Sequence, residues 1–138
     1  MSDEDPQKTW DEYYQQIRSR RMEEAKLLWS QMDEAGVTEE VVLALDFTYL
    51  SNVRDDADSL ENQLSENYNV EVVSANQEDY LYIKGTTRPE GICLSKEQHL
   101  AWVEFMVDVG QSHACVFTNW TLESPALKMK FQSELIDA

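Results

Sequence analysis

The sequence predicts one α+β domain, because segments with the periodicity of helices alternate with segments with the periodicity of strands. The chain has 138 residues, a length that suits a single hydrophobic core. Its formal net charge is −16, yet 42% of its residues are hydrophobic and four are Trp. Disordered acidic chains lack this apolar and aromatic content, so we expect a folded core.

A long amphipathic helix is predicted over residues 9–36, after a disordered acidic segment at residues 1–8. Thr9 and Glu12 have the spacing of a capping box, in which each of the two side chains accepts a backbone N–H of the other residue. Gly36 is placed to end the helix in the left-handed backbone conformation. The apolar residues between these signals recur at helical spacing: Trp10, Tyr14, Ile17, Ala25, Leu28, Trp29 and Met32.

The main α+β domain is predicted over residues 37–123, and a strand over residues 41–50 opens it. Large apolar residues alternate there with smaller or polar ones, as is typical of a strand with one buried face. Asn52 is expected to cap a second amphipathic helix over residues 55–68. The inward residues of the strand are predicted to be Val41, Leu43, Leu45, Phe47 and Tyr49.

Two short strands and a third helix follow. Residues 70–73 and 80–84 favour strands and are expected to pair as a hairpin across a polar turn. Ser95 and Gln98 have the spacing of a second capping box, so a helix is predicted to begin there. Gly110 is expected to end that helix.

A last strand is predicted over residues 115–121. The order strand, helix, strand, strand, helix, strand is that of the split βαβ, or ferredoxin-like, arrangement. That arrangement is a four-stranded antiparallel sheet with two helices on one face. Residues 124–138 are predicted to form a short C-terminal helix or tail, because Ser124 before Pro125 suits the start of a helix.

The sequence offers no recognisable catalytic, metal or cofactor site. His99 and His113 are the only histidines, and we expect each to be a structural residue, since nothing in the sequence brings them together. Cys93 and Cys115 are interpreted as reduced, semi-buried hydrophobic residues. The chain has only four Gly, which excludes a glycine-rich loop that cradles phosphates. We therefore expect no catalytic residue, no metal and no cofactor.

The negative charge argues against direct binding to nucleic acids or anionic membranes, whose phosphates it would repel. The only basic cluster consists of Arg18, Arg20 and Arg21, and Glu23 and Glu24 follow it directly. The same charge would steer the protein toward a basic partner surface, or serve only solubility. The absence of a secretory signal and of a long apolar run predicts a cytoplasmic protein.

Several segments together resemble the ribonuclease E regulator B family. These are the segment Met32–Gly36, the strand Val41–Tyr49, the acidic helix Asp55–Tyr68 and the strand Val70–Val73, which reads Val-Glu-Val-Val. The last strand, residues 115–120, falls where that family has an aromatic strand ending in Trp.

The resemblance covers residues 26–123, with two departures. Thr118 and Asn119 stand where the family has Asp-Gly, and the family's long acidic C-terminal tail is absent. The resemblance implies a ferredoxin-like, acidic protein that binds an enzyme and regulates or inhibits it, with an RNA-degrading enzyme as the target.

The resulting hypothesis is a non-enzymatic protein that binds a partner with a basic surface, either a ribonuclease or a toxin. The alternative to a ribonuclease regulator is an immunity protein that neutralises a cognate toxin. An enzyme with an unrecognised site and a dimer formed through the N-terminal helix also stay open. The predicted partner-binding residues are four acids of the second helix and three aromatic residues: Asp55, Asp56, Asp58, Glu61, Tyr80, Tyr82 and Trp120.

Overall fold

The computed structural model describes residues 6–74 and 80–136. They form an α+β fold with three α-helices and one five-stranded sheet. In chain order the elements are α1 (Pro6–Glu34), β1 (Ala44–Ser51), α2 (Arg54–Leu64), β2 (Asn69–Ser74), β3 (Leu81–Thr86), α3 (Lys96–Ser112), β4 (Val116–Ser124), β5 (Met129–Gln132) and a 3₁₀ turn (Ser133–Leu135).

The strands lie in the order β2-β3-β1-β4-β5, and every neighbouring pair is antiparallel. β1 is central, because it pairs with β3 on one side and with β4 on the other. The predicted hairpin of β2 and β3 is confirmed, although its turn at residues 76–79 lies outside the described residues.

The prediction of a C-terminal helix, and with it the prediction of only four strands, is wrong. The chain turns back after β4, and β5 adds a fifth strand to the sheet. The Ser124 hydroxyl does accept a backbone N–H, that of Leu127 at 3.1 Å, but it stabilises a turn and not a helix. Pairing with β4 places Phe131 beside Leu122 in the core, and this burial outweighs the local helix signal.

The predicted inward face is confirmed from Leu43 to Tyr49, whereas Val41 lies before the strand and is only partly buried. Leu45, Phe47 and Tyr49 are at most 2% exposed, and the alternate residues Asp46 and Thr48 are partly exposed. Residues of all three helices pack into the one core on this face. The period-two pattern of the sequence therefore sets which side of the sheet the helices cover.

A bulge in β4 explains how two aromatic residues three positions apart face the same core. The register with β1 shifts between Thr48 and Tyr49, so that Thr48 pairs with Asn119 and Tyr49 pairs with Phe117. The extra residue in β4 turns Phe117 and Trp120 to the same side, where their rings stack 5.4 Å apart.

Helix α1 begins earlier than predicted. It starts at Pro6, three residues before the predicted capping box at Thr9, and Pro suits the first helical position. Residues 6–8 are therefore helical, and the rest of the predicted disordered segment, residues 1–5, lies outside the described residues. The predicted end is confirmed, because Gly36 has a φ of +94° and directly follows the last turn.

Three other predicted helix boundaries are wrong, and one of them is the end of α2, which lies at Leu64 and not at residue 68. Asn52 does not cap α2, because the N-cap residue is Val53 and it makes no side-chain cap hydrogen bond. Gly110 does not end α3, which continues to Ser112. A Cβ atom on Gly110 would lie 2.7 Å from the Tyr49 ring, so this glycine allows α3 to approach β1 closely. The Ser95–Gln98 capping box at the other end of α3 is confirmed.

Helix α1 lies along α3 and is fixed to α3 by an ion pair and to β4 by a hydrogen bond, both from arginine side chains. Arg18 pairs with Glu104 at 2.7 Å and with Asp108, both on α3. The Arg21 guanidinium donates to the Phe117 carbonyl at 2.8 Å and pairs with Glu24 at 2.8 Å. The helix face that packs on the domain is therefore partly charged, which apolar spacing did not predict.

A charge on the inward face of β1 should unfold the domain. Leu45→Asp would bury an unpaired carboxylate, which costs several kcal/mol, whereas Thr48→Asp places the same charge on the partly exposed face opposite Lys84. We expect Leu45→Asp to abolish the cooperative thermal transition and Thr48→Asp to retain it near the parent temperature. Similar transitions in both variants would show that the two faces are assigned wrongly.

Candidate functional site

The four predicted acidic residues lie together on α2. Asp55 and Asp56 are in its first turn, where negative charge is favourable next to the positive end of the helix dipole. Asp55 and Asp58 are exposed, and Asp56 and Glu61 are partly exposed. Asp58 also pairs with Arg54 at 3.2 Å, one turn away on the surface. The cluster is therefore accessible to a partner.

The three predicted aromatic residues do not lie together. Trp120 is completely buried, and its indole Nε1 donates to His99 Nε2 at 3.1 Å, so it cannot contact a partner. Tyr82 lies on the outward face of β3, with the Lys84 Nζ 6.0 Å from its ring. Tyr80, just before β3, is 41% exposed. Only the two tyrosines remain as candidate contacts.

Tyr80 instead lines a groove with the first turns of α1. The groove has a volume of about 750 Å³ and separates these turns from one end of the sheet. We call it the aromatic groove, because Trp10, Tyr13 and Tyr80 line it. The other lining residues are Pro6, Thr9, Leu50, Ser51, Asn52, Ala114 and Val116.

The aromatic groove forms where α1 extends past the domain. Tyr14 is the first buried residue of α1, and its hydroxyl donates to the Cys115 carbonyl at 3.3 Å. Trp10 and Tyr13, which precede it, are 49% and 43% exposed. Their rings lie 5.6 Å apart, and each also contacts the Tyr14 ring. Large aromatic residues are thus held at the surface by a buried neighbour.

The acidic start of α2 lies beside the aromatic groove. Asn52, which lines the groove, is three residues from Asp55 in the chain. Burial, together with the smaller effects of the nearby Cys115, Tyr13 and Asp56, raises the pKa of the Tyr14 hydroxyl to about 12. Cys115 also donates a weak sulfur hydrogen bond to the Asp56 carbonyl, at 3.8 Å. The aromatic groove therefore ends at the start of the helix that carries the acidic cluster.

Sequence reasoning missed Trp10 and Tyr13 as site residues. Trp10 fits the apolar spacing of α1 and was predicted to be inward. One feature of the sequence did indicate an exposed aromatic residue. Tyr13 and Tyr14 are adjacent and cannot both lie on the same face of a helix.

The two histidines lie at opposite ends of α3. His99 is in its first turn and His113 follows its last residue, roughly 20 Å along the helix axis. His113 Nε2 lies 2.6 Å from Gln63 Oε1. His99 is fully buried, and burial lowers its pKa to about 4. The prediction that both cysteines are semi-buried is wrong, because Cys93 is exposed and Cys115 is completely buried.

Among residues 6–74 and 80–136, no group of three or more His, Cys, Asp or Glu side chains could hold a metal ion. None of the helices in this part of the chain combines the length and apolar character needed to cross a membrane. Comparison with protein-family models, with curated proteins and with solved structures finds no match to this chain.

The pH dependence of stability should report the burial of His99. Because its pKa falls from 6.5 to about 4 on folding, the unfolded state binds more protons than the folded state between these two values. The free energy of unfolding should therefore decrease by up to ~3 kcal/mol from this residue as the pH falls through that range.

His99→Gln provides the matched variant, because glutamine does not titrate and its side-chain oxygen can accept the Trp120 N–H. Carboxylates are common to both proteins, so only the difference between the two pH profiles reports His99. We expect urea unfolding to give a shallower profile for the variant between pH 4.5 and 7. Parallel profiles would show that folding does not lower the pKa of His99.

Proposed function

We propose that this protein is a non-enzymatic regulator that binds a basic surface of another protein, with an RNA-degrading enzyme as the partner. The observation that carries the proposal is the acidic start of α2 next to exposed aromatic residues. Exposed charge steers association, and aromatic residues supply the contact area that is desolvated in an interface.

The pairing of the basic residues supports a protein partner over a nucleic acid. All five arginines lie in the described residues, and each is paired with a carboxylate. Arg88, for example, pairs with Asp46 at 3.2 Å and with Glu123 at 2.6 Å on the outward face of the sheet. Phosphate binding needs clustered cationic groups that are not already neutralised.

We also propose that the fold is ferredoxin-like with one added strand, and the strand order supports this. In the order β2-β3-β1-β4, the β3 strand lies between the parallel strands β1 and β2, as the split βαβ arrangement requires. β5 is an addition at one edge. We propose on this basis, and on the resemblance to the ribonuclease E regulator B family, that ribonuclease E is the partner to test first.

An immunity protein is the second candidate. The same acidic and aromatic surface would suit a basic nuclease toxin, because in both cases carboxylates occupy positions that the phosphates of a substrate would take. A toxin gene next to the gene for this protein would favour this candidate over a ribonuclease regulator.

Neutralising the acidic cluster should slow association with ribonuclease E. The test variant combines Asp55→Asn, Asp56→Asn, Asp58→Asn and Glu61→Gln. We expect its association rate at low salt to fall roughly tenfold, and the salt dependence to flatten, because electrostatic steering is lost. Surface plasmon resonance at two salt concentrations measures both quantities, and RNA cleavage assays measure the inhibition.

A matched control removes the same number of charges elsewhere. Asp33→Asn, Glu34→Gln, Glu39→Gln and Glu40→Gln change exposed residues around the end of α1. This control should associate nearly as fast as the parent. Equal rates and equal salt slopes for all three proteins would exclude the acidic cluster, and no detectable binding by the parent would exclude ribonuclease E as the partner.

A further inference from the structure

We propose that the aromatic groove binds an arginine side chain from an extended segment of a basic protein partner. This inference rests on the proposed function and adds the chemistry of the ligand. The side chain binds in the aromatic groove, and the negative charge of the acidic cluster favours a cationic ligand there.

The lining of the aromatic groove is suited to a cation. Its ten lining residues include no charged side chain, so no ion pair has to be broken when a ligand enters. Trp10, Tyr13 and Tyr80 are each more than 40% exposed. The faces of aromatic rings attract cationic groups, and Trp attracts them most strongly.

The charges around the aromatic groove select the same sign of ligand. Helix α2, whose start lies beside the groove, has four acidic residues and one basic residue. Asp56 lies close enough to Tyr14 to raise the pKa of its hydroxyl. An anionic ligand would be repelled here, and so would a second copy of this chain with its own net charge of −16.

Arginine fits the aromatic groove better than lysine. Its planar guanidinium stacks on aromatic rings and is more weakly hydrated than an ammonium group. It therefore loses less hydration free energy when it leaves water. The groove is also lined by Thr9 and Asn52, whose side-chain oxygens can accept guanidinium N–H groups. A partner segment has to be extended to place one side chain in a groove that is open on its outer side.

Peptide binding to the full chain tests this inference directly. The probe is a hexapeptide of alternating glycine and arginine, and its control replaces arginine by citrulline, which has the same shape without the charge. Trp10 is the exposed tryptophan, whereas Trp29 and Trp120 are buried and Trp102 is partly buried. Quenching or a shift of the tryptophan fluorescence therefore reports mainly on the aromatic groove.

We expect the arginine peptide to bind roughly tenfold more tightly than the citrulline peptide, with a lysine peptide between them. Calorimetry should show a roughly tenfold loss of arginine-peptide affinity for Trp10→Ala and for Tyr80→Ala. Both residues are exposed, so neither substitution should unfold the protein, and they lie in different segments of the chain. Phe105→Ala is the control, because Phe105 is 53% exposed but lies on α3 outside the lining.

Equal affinities for arginine and citrulline peptides would overturn the inference, as would parent-like peptide affinity of the folded Trp10→Ala and Tyr80→Ala variants. A dimer in the parent that Trp10→Ala dissociates would also overturn it, because a second copy would then occupy the aromatic groove. If the arginine peptide binds there but ribonuclease E does not bind the chain, the proposed partner fails and this inference stands. If ribonuclease E binds the Trp10→Ala variant as it binds the parent, the inference fails and the proposed function stands.

Discussion

The contact of His99 with two tryptophans fixes the longest helix on the sheet. The centre of the His99 ring lies 5.6 Å from that of Trp29 on α1 and 6.0 Å from that of Trp120 on β4. The His99 Nε2 accepts the Trp120 indole N–H. Helix α1, helix α3 and strand β4 thus meet at one buried side chain. Because burial keeps this imidazole neutral at neutral pH, the contact costs no desolvated charge. The position of the aromatic groove follows from it.

The aromatic groove forms because helix α1 is longer than the sheet along which it lies. Helix α1 has 29 residues and extends roughly 43 Å, whereas β4 has nine residues and extends about 30 Å. A helix fixed along such a sheet has to extend past one end. The buried contacts run from Met32 back to Tyr14, so the excess falls at the N-terminal turns and exposes Trp10 and Tyr13. Among the described residues, the buried side chains of α1 begin at Tyr14, so these two aromatic residues remain at the surface.

The sequence predicted best where the signal is local. Gly36 and the Ser95–Gln98 pair were located correctly, because a left-handed turn and a capping box depend on a few neighbouring residues. Ser124 gave an equally local signal for a helix, yet the pairing of β5 with β4 makes this segment part of the sheet. Trp120 was predicted to contact a partner, and its burial could not be predicted because the bulge that turns it inward depends on the partner strand. The acidic half of the candidate site was predictable, whereas the aromatic half depends on how far α1 extends.

The negative charge is unevenly distributed over the helices. Helix α1 has six acidic and five basic residues, whereas α2 has four acidic residues and one basic residue in a much shorter length. On the sheet, Arg88 offsets Asp46 and Glu123. Of the three helices, α2 therefore has the largest excess of negative charge per residue, and its start lies beside the aromatic groove. Long-range attraction and short-range aromatic contact would then act at one end of the molecule, so a basic partner drawn by the charge would arrive where it can be held.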